Sequence, residues 1–438
     1  MIPNRFSDGY GVSPTLLERI DADVIITVDN GITALEAAKI CKERGIDLLI
    51  TDHHTPLSSL PEAYSIVDPK LPQCEYPFKE ICGAEVIWLV LALLKQALGV
   101  NVNMRGFVDL LCLAIIADIM PLVDINRALV KDGLKALMHS SRAASVIIRD
   151  FLNKSTISSE DIAFMIAPRL NSAGRLEDAS LALEFLTAKT TYEAYEAFEY
   201  LGELNQKRKE IEQNATEEAI AMIEGCADDV LVVAKENWHE GVVGIVASRL
   251  TERFNKPSIV LSINGEDAKG SARSIEGVDI FALIKENAAF LTKFGGHKMA
   301  AGLGLKTKDI AAFKEAINAS AAKLEKKQKP LFSECVGEIA LGEIDFELLE
   351  ILEAFEPYGE ANPRPKFLLK NAKVVQTNSF GTQKNHTRFC VQKDHQEQTF
   401  VAFWCEDTDK EELTCSYSVV KNEYNGNVQL QLVVGKIY

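Results

Sequence analysis

None of the nine cysteines stands in a Cys-x-x-Cys pair. With an odd count and no such spacing, neither a structural zinc site nor a disulfide framework is expected. Long apolar runs are also missing. The two most apolar stretches, 86–94 and 110–117, fall well short of the roughly 18 residues a membrane span needs. The opening Met-Ile-Pro-Asn-Arg-Phe-Ser-Asp-Gly-Tyr-Gly has no apolar signal core. Positive charge is scarce: 47 Lys+Arg face 63 Asp+Glu, a formal charge of −16. That excludes a protein that grips nucleic acid through bulk charge, though a local basic groove remains open. No internal repeat or low-complexity tract is visible. These absences predict a cytoplasmic protein without membrane contact. What is present is ordinary: 438 residues, 47% hydrophobic and 25% charged. That suits a globular chain of two to four domains at roughly 100–200 residues each.

The first 70 residues alternate strand and helix signals. The β-branched run 23–28 ends at Asp29-Asn30-Gly31. A helix is expected over 33–44, with Thr33 as N-cap and Gly45 as stop. A second apolar run, 46–50, ends at Thr51-Asp52-His53-His54, and Ser65-Ile66-Val67 reads as a third strand. Short apolar strands joined by a helix imply a parallel sheet. Residues 83–190 read as helical, and 191–224 as one long charged helix able to bridge two domains. A second α/β pattern follows: strand 229–234, helix 242–254, strand 257–263 and helix 279–291. From about 331 the chain turns to short strands near 373–376, 387–392, 398–404, 416–420 and 428–434. Asn425-Gly426 is a hairpin signal between the last two.

Parallel sheets bind ligands beyond the C-terminal ends of their strands. Two such ends, lying roughly 5 Å apart if the strands pair, gather Asp29, Asp52, His53 and His54 into one pocket. Carboxylates mixed with imidazoles suit Mn²⁺, Mg²⁺ or Zn²⁺, with Mn²⁺ favoured over Mg²⁺. Asp118, closing the apolar run 110–117, needs a partner at the end of a buried helix. A metal is one; a helix N-terminus or an Arg is another. The plainer readings are a turn or cap for a lone strand-end Asp, a solvated loop for the paired His, and an ion pair for Asp118.

Asp52-His53-His54 after a strand, one βα unit beyond Val28-Asp29-Asn30-Gly31, resembles the DHH phosphoesterase superfamily. Five further segments narrow the resemblance. They are Arg169-Leu170-Asn171-Ser172-Ala173-Gly174-Arg175, the Trp238-to-Leu250 stretch opening Trp238-His239-Glu240-Gly241, Lys269-Gly270-Ser271-Ala272-Arg273-Ser274, Phe294-Gly295-Gly296-His297, and Pro357-Tyr358-Gly359 with Asn362-Pro363-x-Pro365-x-Phe367. Together they resemble the RecJ family of single-strand-specific 5′→3′ DNA exonucleases, from Ile2 to the C-terminus.

The resemblance implies an α/β fold. A parallel-sheet DHH domain (1–190), a connecting helix (191–226) and a smaller α/β DHHA1 domain (227–330) precede an all-β OB-like domain (331–438). It implies two-metal hydrolysis of phosphodiesters with Mn²⁺ or Mg²⁺ in DNA recombination and repair. In that family Asp29 bridges the metals, His53 and Asp118 complete one ion's shell, His54 meets the phosphate, and Asp52 orients its neighbours. Arg5, Ser271 and Arg273 hold a 5′-terminal phosphate. His297, in a Gly-Gly turn, lets the backbone approach a phosphate, and Arg169 and Arg175 line the channel. An isolated Arg would otherwise read as a surface ion pair. Single-stranded DNA is the implied partner, with a single-strand-binding protein and a helicase beside it, and the chain is expected to be a monomer. Residues 361–438 carry 10 Lys+Arg against 8 Asp+Glu. There Phe380, Phe389, Phe403, Trp404, Tyr417 and Tyr424 interleave with Lys384, Arg388 and Lys421, a pattern suited to base stacking, although about half would be barrel core.

The family's first motif, of the Asp-x-Asp-x-Asp-Gly type, has no counterpart in these residues. Asp21-Ala22-Asp23 precedes its strand and falls at the wrong edge. An N-terminally truncated family member is therefore expected, with at most one well-formed ion site, an exposed sheet edge and impaired activity. The alternatives are another DHH phosphodiesterase acting on short oligonucleotides or cyclic dinucleotides, a pyrophosphatase, and a non-catalytic single-strand-binding or replication scaffold protein.

Overall fold

The structure is a computed structural model. It describes every residue except 5, 6, 10, 325–333, 382, 383, 404, 406–409, 425 and 426, and only the backbone of 423, 424 and 427. Arg5, Trp404, the Tyr424 side chain and the Asn425-Gly426 turn lie outside the described residues. The chain forms two compact units, Tyr10–Ala167 with Lys329–Tyr438, and Met1–Gly9 with Pro168–Gln328. No helix among the described residues is long and apolar enough to cross a membrane.

In the first of these units, strands β1 (Val24–Val28), β2 (Asp47–Thr51) and β3 (Ser65–Val67) form a parallel sheet in that order. Val28 pairs with Thr51 and Thr51 with Val67, so all three strands finish level. The helix Leu35–Glu43 buries Ala37, Ala38 and Cys41 against Leu48 and Ile50. Its N-cap is Ala34, and no side chain caps it, so the expected Thr33 cap is corrected: Thr33 sits in the turn before the helix. Val24, Ile26 and Val28 of edge strand β1 are exposed. Beyond the sheet the chain is helical. Gly83–Leu98, Val108–Ala117, Asp124–His139 and Ala143–Leu152 are the longer helices.

The same unit ends in a barrel. Strand β10 (Phe367–Phe380) pairs with both β11 (His386–Lys393) and β13 (Glu412–Tyr424). β11 continues through β12 (Gln396–Ala402) and β14 (Asn427–Ile437) back to β13, closing five strands. The short β9 (Gly337–Glu338) adds to β10. Closure removes the free edges that a five-stranded sheet would otherwise present. Phe389, Phe400, Tyr417 and Leu413 fill its interior.

In the other unit the helix Thr191–Ile223 runs for 33 residues behind a full capping box, with the Thr190 side chain accepting the Glu193 N–H and Glu193 reaching back to the Thr190 N–H. Its far end packs Ala215, Ala219 and Ile223 on Leu231, Val233 and Val246. The sheet beside it has the order β4 (Leu231–Glu236), β5 (Ser258–Asn264), β6 (Asp267–Arg273), β8 (Ala300–Lys306), β7 (Leu291–His297). Only β4 and β5 run parallel; the other pairs are antiparallel.

Candidate functional site

The level strand ends place three aspartates in a row: Asp29 after β1, Asp52 after β2 and Asp68 after β3. Asp29 turns the chain at φ 65°, and Gly31 follows at φ 114°. A left-handed non-glycine residue beside a sheet end is a strained position of the kind that collects at functional sites. Asp52 is buried and accepts from the Ile32 N–H (2.9 Å), the His53 N–H (2.7 Å), the His54 N–H (3.2 Å) and His54 Nδ1 (2.7 Å). It therefore ties together the loops after β1 and β2. Burial alone would raise its carboxyl; the hydrogen bonds from His54, Ile32 and His53 outweigh that and hold it below the usual carboxylate range.

His53 is buried at the centre. Its Nε2 stands 3.0 Å from Asp29 Oδ1 and 3.4 Å from Asp118 Oδ2. Asp118 arrives as the C-cap of the Val108–Ala117 helix, as its position after the apolar run predicts. Burial works against an imidazolium, but the Asp29 and Asp118 carboxylates prevail and raise His53. His54 is raised chiefly by the hydrogen bond with Asp52. Burial, then Asp29, raises Asp118. Ligand atoms of Asp29, His53 and His54 all lie within 4.8 Å of one another. Close as His53 Nε2 is to two carboxylates, it makes no hydrogen bond, and neither does its Nδ1. An imidazole nitrogen converging with carboxylates yet bonded to none is the donor set of a hard or borderline divalent cation, so the residues present fit Mn²⁺ or Mg²⁺.

The helix Gly83–Leu98 is pressed onto this centre. A Cβ on Gly83 would lie 2.4 Å from Asp29 Oδ1 and 2.6 Å from its Cα, so only glycine fits. Two residues of this centre, Asp68 and Gly83, are not among those expected from the sequence. The strand-end rule, applied to the third strand as to the first two, finds Asp68. No sequence signal marks Gly83, whose role depends on a long-range approach.

The other unit holds a second set of groups. Arg273, at the end of β6, donates from Nη1 to Ser271 Oγ (2.8 Å) and to the Ala272 carbonyl (2.9 Å). Burial lowers its pKa, and no carboxylate offsets this. A half-buried guanidinium facing only a hydroxyl and a carbonyl suits an anion. The N-terminal turn of the helix Val243–Phe254 abuts it: a Cβ on Gly244 would sit 3.2 Å from both Arg273 Nη2 and Ser271 Oγ. Arg175 Nη1 donates to the Gly241 carbonyl just before that helix (3.3 Å), and Arg169 stacks over the Phe198 ring (4.8 Å) on the long helix. His297 is exposed, but the Gly-Gly turn expected around it is corrected: Phe294–His297 belong to strand β7. Gly296 is needed there because a Cβ would meet the Ala300 carbonyl and Ala301 Cα of β8 at 2.5 Å.

Sequence comparison matches the DHH family N-terminal domain over residues 1–115, the DHHA1 domain over 227–323 and the RecJ OB domain over 337–436. Over 472 residues the chain is 32% identical to the single-stranded-DNA-specific exonuclease RecJ of Haemophilus influenzae, covering all of this chain and 82% of that protein. The chain belongs to the RecJ family. The Bacillus subtilis RecJ is 36% identical over 92% of this chain, which spans 52% of that protein. The crystal structure of Thermus thermophilus RecJ with Mn²⁺ superposes with a TM-score of 0.83 at 28% identity, covering 97% of this chain and 63% of that one. The Mg²⁺ complex gives a TM-score of 0.78. The expected DHH, DHHA1 and OB-like architecture is thus borne out.

Proposed function

We propose that this chain hydrolyses single-stranded DNA from its 5′ end, in the cytoplasm and with a divalent cation; its relatives are named single-stranded-DNA-specific exonucleases, and related crystal structures hold Mn²⁺ or Mg²⁺. The observation that carries the reading is the convergence of Asp29, Asp118 and the unbonded His53 Nε2 at 3.0 and 3.4 Å. These three side chains would hold one ion. A bound Mn²⁺ or Mg²⁺ supplies Lewis acidity at a phosphoryl oxygen and acidifies water. Asp52 occupies His54 Nδ1, leaving Nε2 as the nitrogen that can meet a phosphate. With its pKa raised, His54 carries the proton needed to donate to a phosphate or to a departing oxygen. Arg273, Ser271 and the Gly244 turn would take a terminal phosphate, with Arg175 and Arg169 farther along the same unit. Arg5 and His297 complete the proposed phosphate contacts.

The barrel supports a grip on single strands. Phe389 and Tyr417 are core. Phe380, His386 and Phe403 instead form an aromatic group with centroids 5.2 to 6.1 Å apart, Phe403 is exposed, and Arg388 lies 4.5 Å over Phe380. Rings beside a cation form a stacking platform for bases. The test is direct: purified chain is incubated with 5′-phosphorylated single-stranded and duplex DNA, with Mn²⁺, Mg²⁺ or chelator. Release of mononucleotides from the single strand, lost with chelator and in D29A, is expected. Tight binding without hydrolysis would replace this reading with that of a non-catalytic single-strand binder.

A further inference from the structure

Of the three strand-end aspartates, Asp29 faces His53 and Asp52 is fully bonded, but Asp68 has no assigned part. The Asp52 N–H donates to the Val67 carbonyl (3.0 Å), so Asp68 stands beside the Asp52-His53 step. Asp68 is 2% exposed. Its Oδ1 accepts the Lys70 N–H at 2.7 Å, while Oδ2 has neither a hydrogen bond nor access to solvent. His53 is 4% exposed, and its Nδ1 is equally unpartnered. A buried acceptor and a buried nitrogen able to carry a proton, on residues of neighbouring strand ends, are thus both unsatisfied. Burial, then Asp52, pushes the Asp68 carboxyl up to about 6, against the Lys70 N–H and charge and, least of all, His53. Buried polar groups in folded proteins are paired, directly or by water.

We infer that Asp68 is a positioning residue for His53: its Oδ2 accepts the Nδ1–H of the imidazole through one buried water. A neutral imidazole has one N–H, and an ion takes the bare nitrogen. Asp29 and Asp118, at 3.0 and 3.4 Å from Nε2, draw the proton toward that nitrogen, where it would shut the ion out. An acceptor at Nδ1 draws it the other way and leaves the Nε2 lone pair facing the two carboxylates. A carboxylate on the far nitrogen of a metal-binding histidine also fixes the ring's orientation. The inference rests on the metal-site reading above, but it concerns the metal-free protein, so the two can fail separately.

The test uses the full chain labelled with ¹⁵N-histidine, in chelator at about pH 8.5, where a neutral ring is favoured. With seven histidines, H53N assigns the signal by its loss. Wild type should show His53 as the Nδ1–H tautomer. D68N, whose amide oxygen still accepts, should keep it; D68L should move it to Nε2–H. Titration of Mn²⁺ followed by the free-ion paramagnetic resonance signal should then show binding weakened about 10- to 100-fold in D68L and little changed in D68N. A wild-type His53 already in the Nε2–H form overturns the inference without any variant. So does a D68L protein with wild-type tautomer and Mn²⁺ affinity. Should wild type and D29A bind Mn²⁺ equally poorly, the metal reading falls, while the tautomer still decides the role of Asp68.

Discussion

Asp52 accepts four hydrogen bonds in a space closed to water, and that number sets what its loss does. D52A strands buried N–H donors and should lower unfolding free energy by about 1–3 kcal/mol in urea titration. The pH dependence follows from the two shifts. His54 is raised, so its share of stability is full below about 6.5 and fades as pH rises through the folded value. Asp52 is lowered, so its share is full above about 3.8 and fades as pH falls through the folded value. In chelator, the deficit of D52A against wild type should peak near about pH 5–6 and shrink toward pH 8–9; a flat deficit would disprove the coupling. In the other unit, R273A removes the cation that lacks a carboxylate. Preference for a 5′-phosphate over a 5′-hydroxyl end should drop about 10- to 100-fold, read as a ratio of kcat/KM values. At this scale the sequence was most readable where chemistry sits at a strand end. Asp29, Asp52, His53 and Asp118 come together as expected. Gly83 and Gly244 escaped because what crowds them is distant in sequence.

The helix Gly83–Leu98 shows how an element tunes a site it does not belong to. The Cys82 N–H donates to Glu85 Oε2 (2.8 Å), closing the first turn as a capping box. Burial pushes the Glu85 carboxyl up to about 7, and its other oxygen has no partner. A carboxyl raised from 4.5 contributes stability fully below that value and loses it as pH climbs through about 7. E85Q keeps the cap acceptor and discards the charge. In chelator it should match wild type near pH 4.5 and exceed it by about 1–3 kcal/mol at pH 8, by denaturant unfolding at both pH values. G83A, in contrast, must displace Asp29, and a shift near 1 Å should cost about 100-fold in kcat. Elements built from β-branched runs, β1, β2 and β5, were legible. Strands β6 to β8 were not: Lys269-Gly270-Ser271-Ala272-Arg273 shows no apolar alternation, because Gly270 is required where a Cβ would strike the Val260 carbonyl of β5. The barrel strands were found but drawn short, since their ends carry polar residues on an exposed face.

At the scale of the whole molecule, the residues near 354–364 tie the barrel to the helices of its own unit. Arg127 Nη2 donates to the Phe355 and Glu356 carbonyls (both 3.0 Å), Ser159 Oγ to the Tyr358 carbonyl (2.6 Å), and the Leu122 N–H to the Glu360 carbonyl (2.7 Å). Arg364 lies 4.4 Å over the Tyr358 ring and grips Glu160 with Nε and Nη2 at 3.3 and 2.7 Å, 204 positions away in sequence. Such a partner is invisible to periodicity or spacing, so the all-β domain is legible in the sequence while its contacts with the helices are not. Arg364 is 13% exposed and Glu160 42%, so the pair is only partly desolvated and screening trims its strength. R364A also removes the packing on Tyr358, whose hydroxyl is bonded to the Leu352 carbonyl. The variant should lose about 1–3 kcal/mol of coupling between barrel and helices. In calorimetry, the cooperative transition of wild type should separate, with the barrel's own transition moving away from the rest. E160Q keeps an oxygen for Arg364 and should cost less. A single unshifted transition in R364A would mean that the carbonyl contacts of Arg127 and Ser159 hold the barrel without it. R127A combined with R364A should then produce the split that neither change gives alone.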